Sequence, residues 1–193
     1  MKHTFFITLL IILVVAGGIW FLPRTDQPIT FDQATSTTQS AAPDTTDWQG
    51  YENEAFDFTF RYPDRVDTAV EAGRVKAQLI GPGSEPQTEV TGGFTLTIYT
   101  QSTDGLSIQE FATQEYEQQT QGLQGVSQPQ RVTISDHTGH TFVVEGAMGS
   151  GIRYYILSAG SDEVYVATAN ISDPNEVGYV DTVRTILSTL EER

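Results

Sequence analysis

Hydrophobic and polar residues alternate along much of the chain, and the clearest run lies at residues 51–63, YENEAFDFTFRYP. Four aromatic residues are separated there by single polar residues: Phe56, Phe58, Phe60 and Tyr62. A period of two places all four rings on one face of a strand. The pattern therefore predicts that a hydrophobic core begins here, in a strand that ends at Pro63.

Seven further segments have the residue pattern of strands. They are residues 66–70, 75–80, 94–99, 131–135, 141–145, 151–157 and 163–170. Turns are predicted at 71–73, 136–139 and 160–162, so the last four strands should pair as an antiparallel meander. The last two carry apolar residues on both faces, which indicates a layer on each side of the sheet.

Two amphipathic segments predict helices. The first begins with a capping box formed by Ser107 and Glu110 and ends near Gly122. The second has Asp173 as its predicted N-cap, Pro174 at its first position and Glu176 completing the box. The expected inward residues are Ile108, Phe111, Ala112 and Tyr116 in the first helix, and Tyr179, Val180, Val183, Ile186, Leu187 and Leu190 in the second.

The amino-terminal part has a different composition. Residues 5–22 contain no charge and would span roughly 27 Å as a helix, close to the thickness of a bilayer's hydrocarbon core. We predict a cytoplasmic terminus at 1–4, a transmembrane anchor at 5–22, a disordered Thr-, Ser-, Pro- and Asp-rich tether at 23–47 and a folded domain at 48–193 outside the cytoplasm.

A cleaved signal peptide is the competing interpretation of the same segment, because small residues at 16–18 follow the apolar core. The apolar run continues through Leu22, however, and no A-x-A pattern follows. These features favour an uncleaved, single-pass anchor.

Charge narrows the classes of partner. Acidic residues outnumber basic ones 25 to 10, giving a net charge of -15, and such a surface repels nucleic acid phosphates and anionic headgroups. The chain has no cysteine, which excludes disulfides, thiolate metal sites and a thiol nucleophile. Acidity of this kind suits either a saline habitat or a soluble secreted surface.

The domain resembles the PsbP-like group, which includes the Mog1-type proteins. The resemblance covers about residues 48–190 and lies in the opening motif Y-x-N-x-x-F-x-F-x-F-x-Y-P, the capped middle helix, the strand VYVATAN and the closing helix with I-L-S-T-L. It implies an α+β fold in which an antiparallel sheet is sandwiched by helices. It implies no enzymatic activity and no cofactor, and it identifies no site residue.

Candidate chemistry is sparse. Asp136, His137 and His140 could converge on a divalent metal, although Asp-His-Thr-Gly is also good turn chemistry. Ser84 and Ser150 lie in glycine-rich segments that do not satisfy G-x-S-x-G, and residues 146–151 lack the lysine of a phosphate loop. The carboxylate pairs at 52 and 54 and at 191 and 192 are what an acidic surface gives by chance. No catalytic, cofactor or metal residue is assigned.

Tyrosines on predicted strands are the remaining candidates for a binding surface: Tyr99, Tyr154, Tyr155 and Tyr165. Any of them facing a groove would supply aromatic contacts to a partner, whereas ordinary packing would bury them. The sequence thus favours a membrane-anchored, extracytoplasmic, non-catalytic binding or assembly module with a protein partner. An extracytoplasmic hydrolase with an unrecognised site and a metal-binding accessory protein are the alternatives.

Overall fold

The computed structural model describes residues 44–81, 92–146, 150–160 and 162–193. The strands within these ranges are β1 Gln49–Tyr51, β2 Phe58–Tyr62, β3 Asp67–Glu71, β4 Arg74–Ile80, β5 Gly93–Ser102, β6 Gln130–Ile134, β7 His137–Glu145, β8 Ser150–Ser158, β9 Glu163–Ser172 and β10 Glu191–Glu192. The helices are α1 Ile108–Thr120 and α2 Tyr179–Leu187. The predicted anchor at 5–22 lies outside the described residues, and within them no helix is long and apolar enough to cross a membrane.

The main sheet has seven strands in the order β3-β4-β5-β9-β8-β7-β6, and all neighbours are antiparallel. The predicted meander from β6 to β9 is confirmed. α1 packs on one face and α2 on the other, so the expected α+β arrangement of an antiparallel sheet between helices is also confirmed.

We call the face under α2 the sealed face, because its side chains are buried across the central strands. On β4 and β5 these side chains are Val75, Ala77, Leu79, Phe94, Leu96 and Ile98, each at most 5% exposed. α2 lays four buried residues on them: Tyr179, Val183, Ile186 and Leu187. Each large apolar side chain buried in this way contributes about 1.5–3 kcal/mol to the free energy of folding.

The predicted opening strand is shorter than expected and belongs to a second sheet. β2 pairs with β1 and β10 in a three-stranded sheet instead of joining the main one. Phe58 and Phe60 are buried as expected, whereas Phe56 and Tyr62 are only partly buried. The rings of Phe58 and Tyr165 of β9 make a T-shaped contact at a centroid distance of 5.7 Å, which joins the small sheet to the main one.

The start of α1 confirms the predicted capping box. The Ser107 hydroxyl accepts the Glu110 N–H at 3.3 Å, and the Glu110 carboxylate accepts the Ser107 N–H at 2.9 Å. The hydrogen bonds from Ser107 lower the pKa of Glu110. Phe111 and Ala112 of this helix are buried, and Tyr116 packs beside them.

The start of α2 differs from the prediction. The helix begins at Tyr179, five residues later than expected, and its N-cap is Gly178 with a left-handed φ of 92°. The Asp173 carboxylate nevertheless accepts the N–H groups of Val177, Gly178 and Tyr179 at 2.7, 2.9 and 3.0 Å. Asp173 therefore stabilises the helix start from across an intervening turn, and Pro174 and Glu176 lie in that turn.

The hairpin between β6 and β7 is tighter than predicted. Its turn is Ser135–Asp136, with Ser135 at a positive φ of 51°, so the residues from His137 onward already belong to the strand. Gly139 pairs with Leu157 inside the sheet, where a Cβ atom would overlap the carbonyl oxygen of Ile156. The glycine is therefore explained by a close approach of two strands and not by a turn.

Replacing Asp173 with alanine should destabilise the domain by about 2 kcal/mol, because three backbone N–H groups at the start of α2 lose their acceptor together. Asp173→Asn should recover part of the loss. Thermal denaturation followed by circular dichroism measures both effects, with Asp64→Ala as the control at an exposed loop carboxylate. Equal melting temperatures for Asp173→Ala and Asp64→Ala would contradict the assigned role.

Candidate functional site

The face of the main sheet that carries α1 is only partly covered. α1 packs against β7 and β8, whereas side chains of β4, β5 and the second half of β9 on that face stay partly or fully exposed. We call this strip the open face. It consists of Arg74, Lys76, Gln78, Ile80, Thr95, Thr97, Tyr99, Thr168 and Asn170.

The register aligns these side chains in rows across the strands. Lys76 lies opposite Thr97, and Thr97 lies opposite Thr168. Gln78, Thr95 and Asn170 form the next row in the same way. The strands are interior members of the sheet, and their opposite side chains are buried in the sealed face. One face of these strands therefore belongs to the hydrophobic core, and the other face is polar and accessible to solvent.

Arg74 is held against an aromatic ring at one corner of the open face. Its guanidinium carbon lies 4.4 Å from the centroid of the Tyr99 ring, within the range of a cation–π contact. Burial raises the pKa of the Tyr99 hydroxyl, and the positive charge of Arg74 partly offsets that rise. The nearby carboxylate of Glu71 pairs with Lys76 Nζ at 3.3 Å instead.

A hollow of about 160 Å³ lies at the other end of the open face. Its lining includes Gln78, Ile80, Thr95 and Asn170 from the open face and backbone near Gly93. Ile80 is 64% exposed, a large value for an apolar residue on an interior strand. The open face therefore combines two cations, a row of hydroxyl and amide groups, and an exposed aliphatic side chain.

The four candidate tyrosines are divided between the two faces. Tyr155 and Tyr165 are core residues of the sealed face, 3% and 1% exposed. Tyr99 lies on the open face, and Tyr154 lies at its border with α1. Tyr154 stacks on Phe142 at 4.5 Å. The proposal of an aromatic binding surface is thus restricted to Tyr99 and Tyr154.

The structure does not bring His137 and His140 together. They are three residues apart on β7, so their side chains leave opposite faces of the sheet. The His137 ring nitrogens lie 2.9 Å from the Ser158 carbonyl and 3.0 Å from the Leu190 carbonyl. His137 therefore ties the end of β8 to the segment after α2, and the hypothesis of a shared metal ion with Asp136 is wrong.

His140 lies on the other face, opposite Ile156 and Arg131 on its neighbouring strands. Its Nδ1 atom is buried and has no hydrogen-bond partner among the described residues. Burial lowers the pKa of His140, and the charge of Arg131 lowers it further. His140 therefore favours its neutral form in the folded protein.

Only part of the serine and glycine candidates lies within the described residues. Ser84 lies outside the described residues, as do residues 147–149 of the glycine-rich segment. Ser150 opens β8, and its carbonyl accepts the Gly146 N–H at 2.9 Å across the hairpin. His140 faces Ile156, six residues farther along β8 and thus about 20 Å from Ser150.

The chain was compared with protein families, curated proteins and solved structures. No protein-family model matches the chain, and no curated protein matches it. Among solved structures, the chain is similar to cyanobacterial PsbP (CyanoP) from Synechocystis sp. PCC 6803, with a TM-score of 0.47 and 8% identity over 79% of this chain and 96% of that one. No residue role is transferred from that structure to this chain.

His140 should make the domain less stable as the pH falls. Because its pKa is lowered in the folded state, the unfolded chain takes up the proton first, and stability is lost from about pH 6.5 downward until the folded protein is protonated too. His140→Gln should remove this contribution. Urea midpoints at about pH 7.5 and about pH 5.5 measure it as the difference between the wild type and the variant.

Arg131→Gln is the matched control for the same measurement, since it removes only the smaller cause and should weaken the pH dependence without abolishing it. If the wild type and His140→Gln lose stability equally over this pH range, His140 does not titrate as the structure indicates.

Proposed function

We propose that this chain is a non-catalytic binding or assembly module, tethered outside the cytoplasm by its amino-terminal hydrophobic segment, and that it binds a protein partner through the open face. One observation carries the proposal. Interior strands of the main sheet are sealed on one face and left accessible on the other, beside a helix that stops short of them.

The chemistry of the open face suits a protein surface. Rows of threonine, glutamine and asparagine offer both hydrogen-bond donors and acceptors. Water can satisfy these groups when no partner is bound. Tyr99 adds a ring with a polar tip, and Ile80 adds an exposed aliphatic side chain. Aromatic residues and arginine are enriched at protein interfaces, and Arg74 lies on the Tyr99 ring.

The membrane part of the proposal is supported by the sequence. An uncharged run at 5–22 has the length of a transmembrane helix, and one lysine precedes it. A coil at 23–47 would hold the domain about 25–30 Å from the bilayer. The net charge of -15 disfavours direct adhesion to anionic headgroups, which is why we assign membrane attachment to the amino-terminal segment alone.

Thr168→Arg should abolish partner binding without unfolding the domain. Thr168 is partly exposed at the centre of the open face, between Thr97 and Tyr154, where a long charged side chain can lie over the surface and block an approaching protein. Proximity labelling of the full chain in its native cell should lose its reproducible neighbour, with enrichment falling about tenfold or more.

Thr133→Arg is the matched control, because Thr133 is an exposed threonine on the edge strand β6. It should leave the labelled neighbours unchanged. Identical neighbours for wild type, Thr168→Arg and Thr133→Arg, with equal melting temperatures, would refute binding through the open face.

Attachment to the membrane is tested separately. The full chain should stay with the membrane after alkaline extraction, and the domain should be digested by protease added outside intact cells, because the anchor spans the bilayer and the domain lies outside. Deleting residues 5–22 should release the chain from the membrane. Soluble wild-type protein whose amino terminus lies beyond Gly18 would show instead that the segment is a cleaved signal peptide.

A further inference from the structure

Arg74 differs from an ordinary surface arginine in being positioned but unpaired. Its guanidinium lies on the Tyr99 ring, and the ion pairs within the described residues, Lys76 with Glu71 and Arg193 with Glu52, do not involve it. No hydrogen bond to a described residue occupies its N–H groups either. A planar guanidinium in contact with a ring can still offer two parallel donors, which is the geometry that a carboxylate matches.

The surroundings of Arg74 favour a small number of carboxylates over a polyanion. Lys76 comes next on the same face, and its ion pair with Glu71 is exposed, with side chains 28% and 63% accessible. Exposed pairs of this kind contribute about 0–1 kcal/mol, so an incoming carboxylate can replace Glu71 at little cost. The negative charge of Glu115 of α1 also acts on Tyr99, where it raises the pKa of the hydroxyl. These acids repel a phosphate polymer or an anionic membrane more strongly than a single side chain.

The same row of β4 continues to an apolar end. Every second residue of β4 lies on the open face, and the distance from the first to the last of them is about 20 Å. These residues are Arg74, Lys76, Gln78 and Ile80. Ile80 borders the hollow, which is about 160 Å³. An extended partner segment that lies along β4 has the same repeat, so acidic side chains at one end and an apolar side chain at the other can meet this row in register.

We propose that the open face binds an extended acidic segment of a partner protein, with a carboxylate on Arg74 and an apolar side chain beside Ile80. This inference rests on the proposed function, because it names the partner chemistry of the same surface.

The test places a photo-crosslinking residue, p-benzoylphenylalanine, at Thr97 of the full chain in its native cell. Thr97 is partly exposed and lies opposite Lys76. The same residue at Thr133 on β6 reports background capture. Cross-linked peptides are sequenced by mass spectrometry, so the composition of the partner segment is read directly. We expect capture at Thr97 of peptides with aspartate or glutamate next to the cross-link.

Two variants test the role of Arg74. Arg74→Gln should reduce capture at Thr97 about tenfold or more, because a charge-assisted pair is lost. Arg65→Gln should have no effect, since Arg65 is an exposed arginine in the loop before β3. Glu71→Gln should increase capture, because it frees Lys76 for the incoming carboxylate. The Glu71 variant keeps Arg74 in place, so its effect is independent of any loss of folding in Arg74→Gln.

The remaining outcomes count against the inference. Capture that is equal in wild type and Arg74→Gln overturns the carboxylate contact and leaves the proposed function standing. Cross-links to lipid or to phosphorylated peptides assign the surface to a different ligand. Capture at Thr97 that does not exceed that at Thr133 overturns both the inference and the proposed function.

Discussion

The rest of the structure depends on how completely each face of the main sheet is covered by helices and by the small sheet. Seven antiparallel strands are about 29 Å wide, since neighbours lie about 4.8 Å apart, whereas one helix is about 10 Å across. On the sealed face, α2 and the three-stranded sheet together cover the central strands and bury their side chains. On the opposite face, α1 lies over β7 and β8. The side chains of β4 and β5 on that face are mostly polar and stay accessible to solvent. The open face follows from this difference in cover.

The cover of the sealed face also depends on contacts between the two ends of the domain. The Thr189 hydroxyl accepts the Arg61 N–H at 2.8 Å, across 128 residues of sequence, and β10 pairs with β2 close by. The His137 ring links the Leu190 carbonyl to Ser158 on β8. Closing so long a loop costs entropy, which the buried rings of β2 offset once α2 is in place. The strands that carry Arg74 and Thr168 on the open face are the same strands whose other side chains are buried in the sealed face.

Much of this architecture could be predicted from sequence, because strand alternation and the capping box of Ser107 are local signals. The start of α2 could not, since Asp173 reaches over a turn to N–H groups four to six residues away. The sequence did not predict that His137 and His140 lie on opposite faces of the sheet. The predicted turn extended to Gly139, whereas the observed turn ends at Asp136, so His137 already lies in β7. The open face depends on where α1 lies, and no pattern within β4 shows that its polar residues stay uncovered beside a helix.

A polar sheet face limits how tightly a partner can bind. Each threonine or glutamine must give up a hydrogen bond to water before it forms one to the partner, so the net gain in binding free energy is about 1 kcal/mol or less per bond. Such a surface selects partners by matching groups more than by apolar area. The proposed anchor at 5–22 would compensate for modest affinity, because a tethered domain would meet a partner in the same membrane at an effective concentration on the order of millimolar. Under this proposal, weak and selective contacts at Arg74 and Ile80 would be sufficient for a module that works at a membrane surface.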